Sequence, residues 1–322
     1  MKSGIGISFI ISLLVLCLFA CAHNEPEPEI TERIVLGFAQ LGDESEFRTS
    51  SSNDVKRAAE QADIQLIFEN AQQKQFNQIK AIRSFILNGV DVIAFCPIVE
   101  EGWDNVLQEA KAAGIPVILV DRYIKTEEEG LYCAFIGSDF NREGVRAAEW
   151  MVERFSKKNE TVRVAEISGT ENSSPAIGRY EGLRSVFAQN PKFEVVISVS
   201  GDFMHSKGKE CMETILRASP DIDVIFAHND DMALGAIEAL EEHGIVPGKD
   251  IMIVSVDAQK SGLEALKQGK INCIVECNPY IGDDLMDLVA NIANGIPIPA
   301  HTYVKERVFT DKDDFGTLPV RQ

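Results

Sequence analysis

Residues 221–241 join the pattern of a buried strand directly to the pattern of a helix. Residues 224–227 form an unbroken apolar run, which is typical of a strand that helices cover on both faces. Polar residues at 228–231 end this run, and either Asn229 or Asp230 is suited to cap the helix that follows. Because ligands of open α/β sheets bind at the carboxyl ends of such strands, we expect a binding site at these polar side chains.

The same alternation of strand and helix patterns recurs along most of the chain. It begins with a strand at residue 34, reaches a fourth strand before Asp121-Arg122, and restarts with a helix near Arg142. Strict alternation predicts parallel strands with right-handed crossovers, which place the strand ends of one sheet on one edge. The sequence therefore predicts an α/β protein with two doubly wound parallel-sheet lobes and no flexible linker between them.

Length and charge exclude some classes of protein. A chain of 322 residues with 45% hydrophobic residues can bury a core in each of two domains. Its net charge of −19 argues against a nucleic-acid partner, because an acidic surface repels phosphate and no cluster of Lys and Arg offsets it.

An enzymatic function has weak support in the sequence. Acid pairs such as Asp121 with Asp257, or Glu44 with Asp230, are the residue types of a glycoside hydrolase. However, the chain lacks the motifs GxSxG, HExxH and GxxxxGK[ST]. Arginines accompany the acids and favour their ionised form, which suits binding better than proton transfer. We expect neither an enzyme nor a cofactor.

Residues 1–20 have the layout of a secretory signal, with Lys2 followed by an apolar run. Residues 18–21, Leu-Phe-Ala-Cys, resemble a lipobox in which Cys21 becomes the lipidated first residue. An ordinary cleaved signal ending near Ala22 and an uncleaved membrane anchor are the alternatives. Residues 24–32, rich in proline and acid, fit a solvated tether. We expect a lipid-anchored protein in the periplasm or on the outer face of the cell membrane.

Five cysteines lie beyond this export segment, mostly within apolar strand patterns. Buried free thiols are the simplest interpretation. No histidine or further cysteine stands near Cys273 and Cys277 to complete a zinc site, and we predict no metal.

Two polar segments follow strands of the first lobe. A carboxylate and a guanidinium at Asp121-Arg122 can each bind two adjacent hydroxyls of a sugar, although a mutual surface ion pair is the alternative. The ring of Phe47 can stack on a sugar or act as a staple for the helix that follows. All six residues of its loop are candidates for ligand contact: Asp43, Glu44, Ser45, Glu46, Phe47 and Arg48.

The run FAHNDDMALGAIEAL at 226–240 resembles a segment of the periplasmic sugar-binding proteins of ABC transporters and of the related sugar-responsive repressors. The resemblance covers residues 34–297 and includes VILVDR at 117–122, IGSDFNREG at 136–144, GDFMHSKGKE at 201–210 and VSVDA at 254–258. GDESEFR at 42–48 and residues 70–91 resemble the galactofuranose-binding members in particular, which have Gly and Trp where this chain has Glu46 and Phe47. No DNA-binding segment precedes these patterns, so a repressor is disfavoured.

The resemblance implies further ligand contacts in the second lobe at Arg179, Asn229, Asp257, Phe203 and Glu276. Asp139 is also a candidate, although it can instead cap the next helix. The resemblance further implies a hinge of three crossings, with residues 33–138 and 277–297 in the N-terminal lobe and 139–276 and 298–322 in the C-terminal lobe.

The implied function is capture of a monosaccharide, with galactofuranose as first choice, in a cleft that closes around it. A monomer would deliver the sugar to an ABC permease of the inner membrane. The alternative is a sensory module that passes the ligand signal to a chemoreceptor or histidine kinase.

Overall fold

The computed structural model describes residues 33–218, 221–319 and 321. The predicted signal at 1–20, the tether at 21–32 and its Cys21 lie outside the described residues. The described fold begins at Ile34 and forms one compact unit. In the described part of the chain, none of the helices combines the length and the apolar character needed to cross a membrane.

The first sheet contains six strands in the order β2-β1-β3-β4-β5-β11, all parallel. Its elements are β1 Val35–Gln40, α1 Glu46–Gln61, β2 Gln65–Asn70, α2 Gln75–Asn88, β3 Val92–Phe95, α3 Asp104–Ala112, β4 Val117–Val120, β5 Ala134–Gly137, and, from late in the chain, α9 Gly282–Ala293 and β11 His301–Tyr303.

The second sheet repeats this design with the order β7-β6-β8-β9-β10-β12, in which only β12 is antiparallel to its neighbour. Its elements are α4 Phe140–Arg154, β6 Val162–Ser168, α5 Ser174–Phe187, β7 Phe193–Ser200, α6 His205–Ala218, β8 Val224–Ala227, α7 Asp230–Glu242, β9 Met252–Asp257, α8 Lys260–Lys267, β10 Cys273–Glu276 and β12 Val308–Thr310.

The central strands of each sheet are buried on both faces, as the apolar strand runs predict. In β3, Val92 and Ala94 pack beneath α1 and α9, whereas Ile93 and Phe95 pack beneath α2 and α3. Successive side chains of a strand point to opposite faces, so an unbroken apolar run supplies two cores at once. Two doubly wound α/β lobes are therefore confirmed.

The chain crosses between the sheets after β5, after β10 and before β12. We predicted that residues 298–322 belong to the C-terminal lobe, but His301–Tyr303 pairs in parallel with β5 of the first sheet. That part of the predicted division is wrong, because a three-residue strand with mostly exposed side chains leaves no periodicity to detect. The boundaries near residues 138 and 277 stay predictions.

Residues from all three crossings meet near the start of α4. The hydroxyl of Ser138 lies 3.4 Å from the sulfur of Cys277, and the side chain of Glu306 is 3% exposed. Arg146 Nη1 lies 3.6 Å from Glu306 Oε2. Burial, and after it the charge of Glu143, raises the pKa of Glu306 to about 9.

This environment predicts how stability depends on pH. Since the pKa of Glu306 in the folded chain lies above the ordinary glutamate value, the folded state binds this proton more tightly than the unfolded state. The resulting stabilisation is complete below about pH 4 and is lost as the pH rises towards 9. Glu306→Gln, which is neutral at every pH, should show a smaller fall in melting temperature between pH 5 and pH 9 than the parent chain.

Glu60→Gln is the control, because Glu60 is exposed on α1 and the same substitution there should leave the pH profile unchanged. Parallel melting profiles for the parent chain and Glu306→Gln would contradict the assignment.

Candidate functional site

The carboxyl ends of the strands in both sheets face a narrow cavity of about 20 Å³ between the two lobes. The loop after β1, the start of α1 and the end of β4 line it from the first lobe. The starts of α4 and α5 and the ends of β7, β8, β9 and β10 line it from the second lobe. The structure therefore brings together side chains that are more than two hundred residues apart in sequence.

Most of the predicted site residues line this cavity. They are Glu44, Ser45, Phe47, Arg48, Asp121, Arg122, Arg179, Phe203, Asn229 and Asp257. Asn229 also caps α7, as the strand-to-helix pattern predicts, by accepting a hydrogen bond from Met232 N at 3.0 Å.

The remaining predicted residues do not line the cavity. Asp43 is exposed and accepts a hydrogen bond from Asn70 at 2.6 Å, and Asp139 caps α4 by accepting from Arg142 N at 3.0 Å. Glu276 accepts from Arg307 N at 2.9 Å and pairs with Arg321. Glu46 turns to Ser261 of the other lobe. These four carboxylates lie outside the cavity lining and each has a protein partner, and their contact with a ligand stays a prediction.

Several lining residues have a backbone conformation that non-glycine residues rarely adopt. The φ angles of Asp121, Phe203 and Asp257 are 64°, 63° and 119°. Positive φ at such residues costs on the order of 1–3 kcal/mol, and it persists where surrounding contacts fix the chain. Here it turns each side chain from a strand end or loop towards the cavity.

The first-lobe wall is a buried ion-pair network. Arg48 Nη2 donates to Asp121 Oδ2 at 2.7 Å, and Glu44 Oε1 lies 3.5 Å from Arg48 Nε and 3.6 Å from Arg122 Nη2. Asp121 and Arg122 are buried, with their charged atoms 3.9 Å apart, so they are not the surface pair that we considered as the alternative.

Burial acts to lower the pKa of Arg48, but the Cys96 sulfur and the carboxylates of Asp121 and Glu44 outweigh it and raise that pKa. The pKa of Arg122 is lowered, first by burial and then by the charge of Arg48. Both guanidinium groups stay charged, because an arginine pKa lies far above neutrality.

The second-lobe wall is organised by Arg179. Its Nε donates to Glu143 Oε2 at 2.6 Å, its Nη1 donates to the carbonyl oxygen of His228, and its Nη2 lies 3.9 Å from Asp257 Oδ1. Burial raises the pKa of Asp257 well above its ordinary value, although the charge of Arg179 acts in the opposite direction. Arg179 is buried, although it lies on a helix.

Three aromatic rings complete the walls. Phe47 and Phe140 belong to one apolar cluster that joins the start of α1 to the core of the second lobe. The guanidinium carbon of Arg122 lies 5.2 Å from the centre of the Phe203 ring. Phe203 also requires glycine at position 169, since a Cβ there would lie 1.8 Å from its Cζ.

The sequence did not single out some cavity residues. Phe140, Pro175 and Cys277 line the cavity, and Glu143 supports Arg179 from behind. An aromatic residue directly after Asp139 at a helix start was a usable signal for Phe140. Cys277 gave no signal, because its position depends on a chain crossing that only the resemblance implied.

Among the described residues, Glu143, Cys277 and Glu306 bring three potential metal-ligand atoms within 4.8 Å of one another. Arg179 already pairs with Glu143, and its positive charge opposes a cation at this place. The absence of a metal stays a prediction. Of the five cysteines beyond the export segment, four are buried free thiols and Cys133 is exposed.

Some polar atoms of the cavity-lining residues make no hydrogen bond to the protein. Buried atoms that lack a hydrogen bond within the described structure include Glu44 Oε2, Arg48 Nε, Arg122 Nε and Asp257 Oδ2. Because such atoms are costly unless a partner satisfies them, the walls present donors and acceptors that are suited to the hydroxyl groups of a small ligand.

Two α/β lobes that enclose a small polar cavity define a solute-binding protein that closes around its ligand. The chain matches the periplasmic binding protein domain over residues 36–297 and belongs to that family. This is a family of transport binding proteins and not of enzymes, which confirms that the chain is not an enzyme.

Its relatives include sugar-binding proteins. The galactofuranose-binding protein YtfQ of Escherichia coli is 40% identical over 79% of this chain and 80% of its own length. A Mycobacterium smegmatis protein, solved in complex with β-D-fucofuranose, is 48% identical over 86% of this chain and 91% of its own, with a TM-score of 0.85. The periplasmic binding protein of the arabinose ABC transporter of Shewanella sp. ANA-3, bound to L-arabinofuranose, is 42% identical over 86% and 92%, with a TM-score of 0.83.

The Arg179–Glu143 pair allows a test that needs no ligand. Arg179→Met leaves the Glu143 carboxylate buried without its partner, and we expect the free energy of unfolding to fall by on the order of 3–5 kcal/mol. Arg179→Met combined with Glu143→Gln removes both charges and should recover part of this loss. Urea denaturation measures each value.

The control is the exposed pair of Arg142 and Glu149, which lies on α4 together with Glu143. Arg142→Met should cost no more than about 1 kcal/mol. A double variant at Arg179 and Glu143 as unstable as the single variant would show that the unpaired charge is not the cause.

Proposed function

We propose that this protein captures a monosaccharide in its furanose form between the two lobes and delivers it to an ABC permease. The observation that carries the proposal is the cavity between the lobes, whose guanidinium and carboxyl groups keep atoms without a hydrogen bond. The reported relatives, which bind galactofuranose, fucofuranose and arabinofuranose, support the same class of ligand.

The charges of the cavity favour a neutral ligand. The arginines of the walls each have a carboxylate nearby: Arg48 pairs with Asp121, Arg122 lies near Glu44, and Arg179 pairs with Glu143. An ionised ligand would add an uncompensated charge to this buried set, whereas hydroxyl groups can both donate and accept. A polyol fits the site for this reason.

The size of the cavity favours a single small ring. The cavity of about 20 Å³ has room for about one water molecule, so the lobes must separate to admit any sugar. A single ring requires less separation than an oligosaccharide does. The rings of Phe47, Phe140 and Phe203 supply apolar surface for the carbon face of a sugar, and the polar groups stand between them.

Galactofuranose is our first choice of sugar, before arabinofuranose and ribofuranose. Glu46, which replaces a glycine of the galactofuranose-binding members, gave a reason for doubt, because it adds a charge to the loop. Its carboxylate faces Ser261 and not the cavity, so this difference leaves the ligand space unchanged. Phe47 in place of tryptophan keeps an aromatic ring at the cavity wall.

Delivery to a permease is the role that the family supports, and the protein is a periplasmic binding protein. The sensory alternative has no better support from the relatives. We further propose that the protein acts as a monomer. A lipid at Cys21 would hold it at the membrane, and the support for this anchor is the order Leu18-Phe19-Ala20-Cys21 after an apolar run.

Binding can be tested with a panel of D-galactose, D-fucose, L-arabinose, D-ribose and D-glucose. We expect the largest rise in melting temperature with D-galactose, because a ligand that binds only the folded state stabilises it. Sugar labelled with ¹³C at C1 then reports the ring form, since furanose and pyranose forms have different C1 resonances. Only the furanose resonance should appear in the bound state.

Arg122→Ala supplies the site variant for this panel. It should weaken binding by on the order of 2–5 kcal/mol, because it removes a buried charge next to Glu44. Arg142→Ala, on the exposed face of α4, should bind like the parent chain. Tighter binding of D-glucose in its pyranose form than of any furanose would overturn the choice of sugar.

Lipidation can be tested separately in the bacterial cell. Cys21→Ser removes the thiol that would carry the lipid, so we expect the protein to move from the membrane fraction to the soluble fraction. Immunoblotting of the two fractions measures this. Retention of Cys21→Ser in the membrane would support an uncleaved anchor instead.

A further inference from the structure

Glu46 makes its contacts across the cleft and not with the cavity. It is the first residue of α1 in the first lobe, and its carboxylate accepts hydrogen bonds from the N–H of Ser261, at 3.4 Å, and from the Ser261 hydroxyl. Its own N–H donates to Asp231 Oδ2 at 3.0 Å. Ser261 and Asp231 belong to α8 and α7 of the second lobe.

These contacts join the N-termini of helices that belong to different lobes. The first N–H groups of a helix have no partner within it, and their positive end attracts carboxylates. Asp231 supplies an acceptor for the first N–H of α1, and Glu46 supplies an acceptor for an N–H in the first turn of α8. Each lobe thus provides an acceptor that the other lobe's helix lacks.

We propose that Glu46, Asp231 and Ser261 form a closure latch, a set of reciprocal helix caps that stabilises the closed arrangement of the lobes. The expected consequence of the latch is tighter sugar binding without contact between Glu46 and the sugar, and this consequence rests on the proposed function. Separation of the lobes would expose these donors and acceptors to water. Their mutual hydrogen bonds form only in the closed arrangement and therefore stabilise it relative to the open one.

The position of Glu46 in the chain couples the latch to the ligand. Its neighbours Ser45 and Phe47 both line the cavity. A sugar that fixes these two residues also fixes Glu46 opposite Ser261, and closure of the latch orders the loop that contacts the sugar. By linkage, any free energy that the latch adds to closure increases the affinity for a ligand of the closed form.

Other contacts across the cleft have a different character. Glu100 N donates to Asn172 O at 3.0 Å, and Tyr123 N donates to Ser174 Oγ at 2.9 Å. Both use neutral acceptors, whereas the latch uses carboxylate acceptors, which form stronger hydrogen bonds. Glu46 is therefore the contact whose removal should shift closure most clearly.

The test compares Glu46→Ala, Glu46→Gln, Ser261→Ala and the double variant Glu46→Ala with Ser261→Ala. Small-angle X-ray scattering of the sugar-free protein measures its radius of gyration, and hydrogen exchange measures protection at Ser261. We expect Glu46→Ala and Ser261→Ala to increase the radius and the exchange rate, and to weaken D-galactose binding about tenfold or more. Glu46→Gln keeps an oxygen acceptor and should lose less.

The double variant should bind D-galactose no more weakly than the more affected single variant, because the two substitutions remove the same interaction. Glu60→Gln changes the same charge at the exposed far end of α1 and should match the parent chain. Unchanged scattering and exchange in Glu46→Ala would overturn the latch, even with weaker sugar binding, since Glu46 would then act on the sugar directly. Altered scattering and exchange, in a protein whose parent binds no sugar in the panel, would keep the latch and overturn the proposed function.

Discussion

The ion pair between Arg48 and Asp121 holds two opposite charges out of water at the centre of the cleft. Removal of charges from water costs free energy unless good geometry and further hydrogen bonds compensate. The neighbouring residues must therefore supply charges and hydrogen bonds in the right positions. Glu44 and Arg122 extend the network, and the positive φ of Asp121 turns its carboxylate towards Arg48. The parallel sheet makes this possible, because its strands all end on the edge where these charges meet. The second lobe has a similar buried ion pair between Arg179 and Glu143.

Such matched networks explain why the cleft suits binding and not catalysis. Arginines fix the orientation of the Glu44 and Asp121 carboxylates. A hydroxyl group of a ligand can donate a hydrogen bond to such a carboxylate without transfer of the proton. Specificity follows from the same physics, because an analogue that lacks a matched hydroxyl leaves buried polar atoms unsatisfied. The strained backbone at Asp257 and Phe203 adds rigidity to the site.

The fold could be predicted from the sequence because its signal is local. One strand-helix unit is recognisable from an apolar run such as 224–227 that is followed by a capping residue and a helical pattern. The alternation of such units predicts the parallel sheets. The strand at 301–303 escaped prediction because it has three residues and depends on its partner strand. Of the residues predicted at or just after strand ends, Asp121, Asn229 and Asp257 line the cavity. Glu46, predicted on account of its neighbours, does not. Adjacent residues at a helix start face different directions, and sequence alone does not say which one faces the cavity.

The last forty residues of the described chain give each sheet its sixth strand, β11 to the first and β12 to the second. The outer edges of β5 and β10 are therefore covered by strands from one short segment, residues 301–310. Before this segment pairs, both edges are open, and open edges invite pairing with other strands. Truncation near residue 300 would remove both strands and open an edge in both lobes at once.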